Sequence, residues 1–158
     1  MVNLNNFICT NPFSYTEIME DRQTFCCPQW LEEYIEGEDI DYKESWHSNK
    51  AEKIRESMID GSFKYCSTEK CPHLSTLVNT GHLPRGPIKM KNKELIAKLK
   101  SEAAIGPKQI KFIFDQACNL ACPSCRNSFV RNSESIYVNS NTKLEKLSKA
   151  YSDSVEYI

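Results

Sequence analysis

The chain of 158 residues lacks the features that would place it in several common classes. Its net charge of −1 leaves no excess of one sign, so nothing indicates a nucleic-acid or acidic-membrane surface. No apolar run is long enough to span a bilayer, and residues 1–6 lack the basic start and apolar core of a signal peptide. No glycine-rich phosphate loop occurs. We therefore expect a cytoplasmic protein that binds neither nucleic acid nor membrane.

Cysteine, by contrast, is abundant. Eight cysteines in a chain without an export signal argue against a disulfide scaffold and favour metal or redox chemistry. They form two groups separated by a long gap, the first being Cys9, Cys26, Cys27, Cys66 and Cys71 and the second Cys118, Cys122 and Cys125. Two glycines and two prolines within residues 80–87 of the gap are typical of a linker. We therefore predict a first domain at 1–80, a linker and helix at 81–107, and a second domain at 108–158.

Hydrophobic periodicity predicts a mixture of short strands and helices. The predicted strands are 14–19, 23–27 and 109–115, and the predicted helices are 48–60, 91–100 and 142–151. Ser48 is a suitable N-cap for the first helix, and Gly61 is a natural stop. The strand at 109–115 is apolar on both faces except for Lys111, which is typical of a parallel strand covered on both sides.

The last fifty residues predict a strand, a cysteine loop, a helix and the opening of another strand at 155–158. One such βα unit cannot cover both faces of its strand, so we expect the chain to be the front piece of a longer protein. The alternative is that 155–158 form a frayed tail. The predicted fold class is a small α+β cluster-binding domain followed by the first βα unit of an α/β, partial TIM-type barrel.

The second cysteine group has the spacing Cys-x3-Cys-x2-Cys directly after the predicted strand. Three thiolates on one tight loop can hold three irons of a [4Fe-4S] cluster and leave the fourth iron open to a substrate or cofactor. A structural zinc site is the alternative. Zinc sites, however, favour pairs such as Cys-x2-Cys, and neither a second pair nor a histidine follows Cys125.

This segment resembles the cluster-binding loop of the radical S-adenosylmethionine (SAM) enzymes, where the loop follows the first strand of a (β/α) barrel. The resemblance implies that Cys118, Cys122 and Cys125 ligate a [4Fe-4S] cluster whose open iron binds SAM. Reductive cleavage of SAM would then give a 5′-deoxyadenosyl radical that abstracts a hydrogen atom from the substrate. Ser124 replaces an aromatic residue that the family often places near the adenine, and the family's glycine-rich segment after the second strand does not occur. We therefore expect this fragment to be inactive alone.

The first cysteine group resembles a SPASM-type domain, the auxiliary-cluster module of radical SAM enzymes that modify peptides and proteins. The matching features, in order, are Cys9 before Pro12-Phe13, a cysteine after a hairpin, Trp46-His47-Ser48 before a helix, Ile54-Arg55 within it, and the pair Cys66 and Cys71. In the family pattern the hairpin ligand falls six residues after the hairpin aspartate, here Asp21, which implies Cys27. Adjacent strand residues point to opposite faces, so we expect Cys26 to be a packed or spare thiol.

The SPASM resemblance thus implies a second, auxiliary [4Fe-4S] cluster on Cys9, Cys27, Cys66 and Cys71. Zinc on the same four residues is the alternative, because four thiolates suit either metal. His73 could be a further ligand, although we expect either a surface position or one beside the ligands. Taken together, the resemblances predict a radical SAM iron–sulfur oxidoreductase with a peptide or protein substrate and an electron donor such as flavodoxin or ferredoxin. A non-catalytic zinc or iron–sulfur module is the competing interpretation.

Overall fold

The computed structural model describes residues 2–19, 21–31, 33–37, 40–113 and 134–156. The described strands are β1 (Phe7–Cys9), β2 (Tyr15–Met19), β3 (Arg22–Thr24), β4 (Ile35–Glu36), β5 (Ile88–Met90) and β6 (Gln109–Ile113). The described helices are α1 (Asn11–Ser14), α2 (Tyr42–Trp46), α3 (Asn49–Ile59), α4 (Pro72–Thr80), α5 (Lys93–Ile105) and α6 (Glu134–Tyr151). These elements form a small α+β fold with two sheets.

The two sheets each combine early and late parts of the chain. Strands β1 and β5 pair antiparallel, with Cys9 opposite Ile88. The other sheet has the order β4-β3-β2-β6, in which the β2–β3 hairpin and the β3–β4 pair are antiparallel. Strand β6 runs parallel to β2, with Tyr15 opposite Gln109 and Met19 opposite Ile113. Strands that follow residue 80 therefore complete sheets that begin before it.

Helix α3 begins and ends at the residues that the sequence indicates. The Ser48 hydroxyl accepts a hydrogen bond of 3.3 Å from the backbone N–H of Ala51, which satisfies one free donor of the first turn. The helix stops before Gly61, whose φ of 81° favours glycine. A Cβ at Gly61 would also lie 2.6 Å from the Cα of Asn5, so a larger residue does not fit there without movement of the backbone.

The hydrophobic core is one cluster that draws on both predicted domains. Trp46 is completely buried at its centre, where the indole Nε1 donates a hydrogen bond of 2.7 Å to the carbonyl of Ala103 in α5. The Tyr151 hydroxyl of α6 donates to the carbonyl of Tyr42 and accepts a hydrogen bond of 3.3 Å from the side-chain amide of Gln23. Because an unpaired buried polar group is costly, these bonds fix α6 against the first part of the chain.

The structure confirms the predicted hairpin, the parallel strand and all three predicted helices, with shifted ends. It adds six short elements that the sequence pattern did not indicate, namely β1, β4, β5, α1, α2 and α4. Strand β3 stops at Thr24 rather than Cys27, because the Thr24 hydroxyl bonds the carbonyl of Cys26 at a bend. In β6 only Ile110 is fully buried, and Lys111 is exposed, so the described residues cover one face rather than two.

The final predicted strand is not found where it can be assessed. The backbone N–H of Val155 bonds the carbonyl of Tyr151 and so extends the end of α6, while residues 157–158 lie outside the described part. Residues 114–133 lie outside it as well, so the barrel remains a prediction. Among the described helices, none combines the length and apolar character needed to cross a membrane.

Candidate metal centre

Four of the five cysteines in the first group line one cavity: Cys9, Cys26, Cys66 and Cys71. The cavity walls include four large apolar side chains, namely Trp30, Phe63, Leu74 and Ile88. All five cysteines of the group are free thiols. The fold therefore brings together, around one largely apolar cavity, thiols that lie as far apart in the sequence as positions 9 and 71.

Each thiol reaches the cavity from a different structural element. Cys9 is the last residue of β1, and the next backbone N–H, of Thr10, bonds the carbonyl of Pro87 beside β5. Cys66 forms an isolated antiparallel bridge with Leu31. Cys71 is the N-cap of α4, and its N–H bonds the carbonyl of Ser67 at 3.1 Å. These backbone bonds hold the cysteine-bearing segments around the cavity.

The adjacent Cys26 and Cys27 take different positions. Both follow the end of β3, so the alternation of side chains along a strand does not apply to them. Cys26 is buried and lines the cavity, whereas Cys27 is half-buried and is not among the lining residues. The Cys27 carbonyl accepts hydrogen bonds from the N–H groups of Trp30 and Leu31. Ligation by Cys27 remains a prediction, and Cys26 is the thiol that shares the cavity with the other three.

Asn11 donates hydrogen bonds to two of the cavity sulfurs. Its side-chain Nδ2 lies 3.6 Å from the Cys26 Sγ, and its backbone N–H donates to the Cys9 sulfur. The backbone N–H of Cys27 is a second donor to the Cys26 sulfur. Hydrogen bonds of this kind favour the thiolate over the thiol, and they are typical of the surroundings of metal-bound sulfur.

Burial raises the pKa of two of the cavity thiols, Cys9 and Cys26, and so favours their protonated form. Burial raises the pKa of the Cys9 thiol well above its ordinary value, and the neighbouring Cys26, Cys66 and Cys71 raise it further, against the hydrogen bond from Asn11. Burial also raises the pKa of Cys26 to about 11, although the donors from Asn11 and Cys27 oppose this shift. A metal that binds here must therefore displace protons from the sulfurs.

Arg55, a residue of the SPASM-like pattern, braces the segment that carries Asn11. Its side chain is 4% exposed, and its Nε donates a hydrogen bond of 2.9 Å to the carbonyl of Pro12. The guanidinium lies 4.4 Å from the ring centre of Trp46, and its Nη1 pairs with Glu52 at 2.9 Å. Burial lowers the pKa of Arg55, and the ion pair with Glu52 opposes this effect. Trp46 and Arg55 of the pattern thus support the segment that carries Asn11 and Pro12.

His73 belongs to the cavity wall, beside the cysteines, which is one of the two positions expected for it. Its ring meets the Trp30 ring edge to face at 5.7 Å between centres. The backbone at Gly86 approaches the same ring so closely that a Cβ there would lie 2.6 Å from the His73 Cε1. The imidazole is therefore held between an aromatic ring and the chain that leads into β5.

Two residues that line the cavity, Cys26 and Asn11, were not predicted to do so from the sequence. Asn11 belongs to no spacing pattern of metal ligands. Its contact with Cys26 exists only because the β2–β3 hairpin brings Cys26 beside it. Within the described ranges, no three His, Cys, Asp or Glu side chains are arranged to hold a metal ion, so the four thiols share a cavity without already converging on one point. Cys118, Cys122 and Cys125 lie outside the described residues.

Comparison with known proteins identifies no relative: no family model, curated protein or solved structure matches the chain.

Proposed function

We propose that this chain belongs to a radical SAM iron–sulfur oxidoreductase that modifies a peptide or protein, and that its role there is to bind iron–sulfur clusters. The observation that carries the proposal is the cavity shared by Cys9, Cys26, Cys66 and Cys71. The order of elements that suggested an auxiliary cluster module also predicts a converging set of thiols. The four thiols that line one cavity support that interpretation of the first cysteine group.

The donor set of the cavity fits a fully ligated [4Fe-4S] cluster, with each thiolate on a different iron. A cluster with four thiolates carries net negative charge, so an apolar cavity needs hydrogen-bond donors that face the sulfurs. Asn11 and the backbone of Cys27 supply such donors. In this proposal Cys26 takes the place that the family pattern implies for Cys27. The chain's role at this site is to hold a cluster that relays electrons or stabilises the domain.

The second group supports the catalytic part of the proposal through its spacing alone. Cys118, Cys122 and Cys125 would hold three irons and leave one for SAM, which supplies the radical chemistry when bound. The peptide or protein substrate rests on the SPASM resemblance of the first group. Flavodoxin or ferredoxin is the proposed electron donor on the same ground.

A zinc-binding module is the second candidate, because four thiols in one cavity also suit tetrahedral zinc. Anaerobic reconstitution followed by iron, sulfide and zinc analysis separates the two. We expect about eight irons per chain, as two four-iron clusters require, and a broad visible absorption band that dithionite bleaches. Zinc at full occupancy without that band would defeat the iron–sulfur proposal.

Single variants then test the ligand assignment. Cys26→Ser should lose about half of the iron, because one of two clusters loses a ligand. Cys27→Ser is the matched control, and it should keep the full iron content. If Cys27→Ser instead loses about half of the iron and Cys26→Ser keeps all of it, Cys27 is the ligand. Replacement of Cys118, Cys122 and Cys125 together by Ala should remove the other half of the iron and abolish cleavage of SAM by any active longer form.

A further inference from the structure

We propose that Asn11 is a positioning residue for the cluster of the four-thiol cavity, whose hydrogen bonds to Cys26 and Cys9 raise the reduction potential of that cluster. The inference rests on the proposed function, since it requires a cluster at this site. It goes further by assigning control of the potential to one residue. That residue is outside the ligand set and outside the spacing pattern.

The geometry gives Asn11 two separate donors. Its side-chain Nδ2 lies 3.6 Å from the Cys26 Sγ, fifteen positions further along the chain. Its backbone N–H, at the first residue of α1, has no acceptor within that helix and donates instead to the Cys9 sulfur. One residue thus donates to two of the four sulfurs. Cys9 precedes the β2–β3 hairpin in the sequence, and Cys26 follows it.

The neighbours of Asn11 hold it in place. The N–H of Thr10 bonds the carbonyl of Pro87 at 2.9 Å, and the Nε of Arg55 bonds the carbonyl of Pro12 at 2.9 Å. The ring of Pro12 fixes its own φ, so the short helix begins at a rigid position. Asn11 therefore lies between two anchored residues, and its amide is directed at Cys26 by the fold.

The effect on the potential follows from charge. Reduction adds an electron to a cluster that its thiolates already make negative. Hydrogen bonds to the sulfurs stabilise that added charge, so they favour the reduced form. Removing the donor should make the cluster harder to reduce. An Asp at this position has nearly the same shape but offers a negative oxygen to the sulfur, so it should act in the same direction and more strongly.

The experiment uses the full chain with Cys118, Cys122 and Cys125 replaced by Ala, so that the measured iron content and midpoint potential belong to the cavity cluster alone. Asn11→Leu, Asn11→Ala and Asn11→Asp are compared with Asn79→Leu, which alters an exposed asparagine on α4. Each protein is reconstituted, its iron is counted, and its midpoint potential is measured by titration with redox dyes followed by electron paramagnetic resonance.

We expect Asn11→Leu and Asn11→Ala to keep about four irons and to show a more negative midpoint potential than the parent. Asn11→Asp should shift further in the same direction and lose iron faster to a chelator. Asn79→Leu should match the parent. If the Leu and Ala variants keep the parent potential, the role of Asn11 is refuted while the cluster itself stands.

Two other outcomes also decide the matter. A parent protein that binds no iron in this background refutes the proposed cluster, and the role of Asn11 falls with it. Loss of folding in both the Leu and Ala variants, seen by circular dichroism while Asn79→Leu stays folded, means that Asn11 acts through packing, and it overturns the inference.

Discussion

In the proposed function, the two cysteine groups would bind the same kind of cluster with thiols spread over very different lengths of chain. Cys118, Cys122 and Cys125 span eight positions, so a single loop can present all three thiols. The thiols of the cavity extend from Cys9 to Cys71 and come from a strand end, a bend, a bridge and a helix N-cap. A local site needs only its loop, whereas a dispersed site forms only when the surrounding fold forms. Metal binding at the dispersed site should therefore be coupled to folding.

The largest expected effect follows from this coupling. Loading the cavity with a cluster should raise the free energy of unfolding by on the order of 5 kcal/mol, because the metal binds only the folded arrangement. The double variant Cys66→Ser/Cys71→Ser should lose this gain, as anaerobic thermal unfolding would reveal. The triple Ala variant of the second group should keep it. Equal gains in both variants would remove the distinction between a dispersed and a local site.

Loss of the Arg55 contacts that support the segment beside the cavity should give the next largest effect. Arg55→Ala removes the hydrogen bond to Pro12 and the stacking on Trp46, and it should lower the unfolding free energy by about 3 kcal/mol. It should also reduce the iron held by the first group and leave that of the second group unchanged. The exposed Arg85→Ala is the control and should be neutral within about 0.5 kcal/mol. Denaturant unfolding and iron analysis on the same samples measure both quantities.

The thiols of the metal-free cavity should make the protein sensitive to alkali. The folded pKa of Cys26, about 11, lies above the ordinary thiol value, so the folded state holds its proton more tightly than the unfolded chain. The stability due to this thiol is fully present below about pH 8.5, falls as the pH rises, and is lost above the folded pKa. We expect a loss of roughly 3 kcal/mol from this group. Cys26→Ala should flatten the plot of unfolding free energy against pH between those two pH values. An unchanged plot would contradict the assignment of this pH dependence to Cys26.

The smallest expected effect concerns the helix that carries Arg55. Ser48→Ala removes the N-cap of α3 and should lower the unfolding free energy by about 1 kcal/mol. The iron content of both groups should stay unchanged, because the helix still forms in the folded protein. Asn92→Ala removes the corresponding cap of α5, where Asn92 accepts from Leu95 at 2.7 Å, and serves as a matched comparison. A loss of iron in Ser48→Ala alone would show that α3 controls the cavity more tightly than we expect.

The local part of the fold could be predicted from the sequence, since its signals lie within a few residues. Ser48 and Gly61 bound α3 correctly, and the hairpin of β2 and β3 appears where alternation and turn residues indicate it. Helix α4 was missed because Cys71-Pro72 was considered only as a ligand position, although proline is common at the start of a helix. Strand β5 was missed because it lies close to the glycines and prolines taken for a linker.

The long-range part could not be predicted in this way. No local pattern states that β6 pairs with β2, which lies more than ninety positions earlier. The position of Cys26 in the cavity wall, with Cys27 outside the lining, could not be derived from alternation for a related reason. The Thr24 side chain bonds the carbonyl of Cys26 and ends β3 at Thr24. The alternation of side chains along the strand therefore stops two positions before Cys26. The four-thiol set therefore depends on tertiary contacts that spacing alone does not encode.

The parallel pairing of β2 and β6 fixes where the chain leaves the sheet. Cys26 follows β3 at the end of the sheet where β2 starts, whereas Ile113 ends β6 beside Met19, at the opposite end. The described part of β6 therefore ends about one strand length, roughly 16 Å, from the end of the sheet where Cys26 lies. If both proposed clusters are present, the length of this five-residue strand would contribute to the distance between them, and lengthening or shortening it would be a direct way to alter the rate of electron transfer.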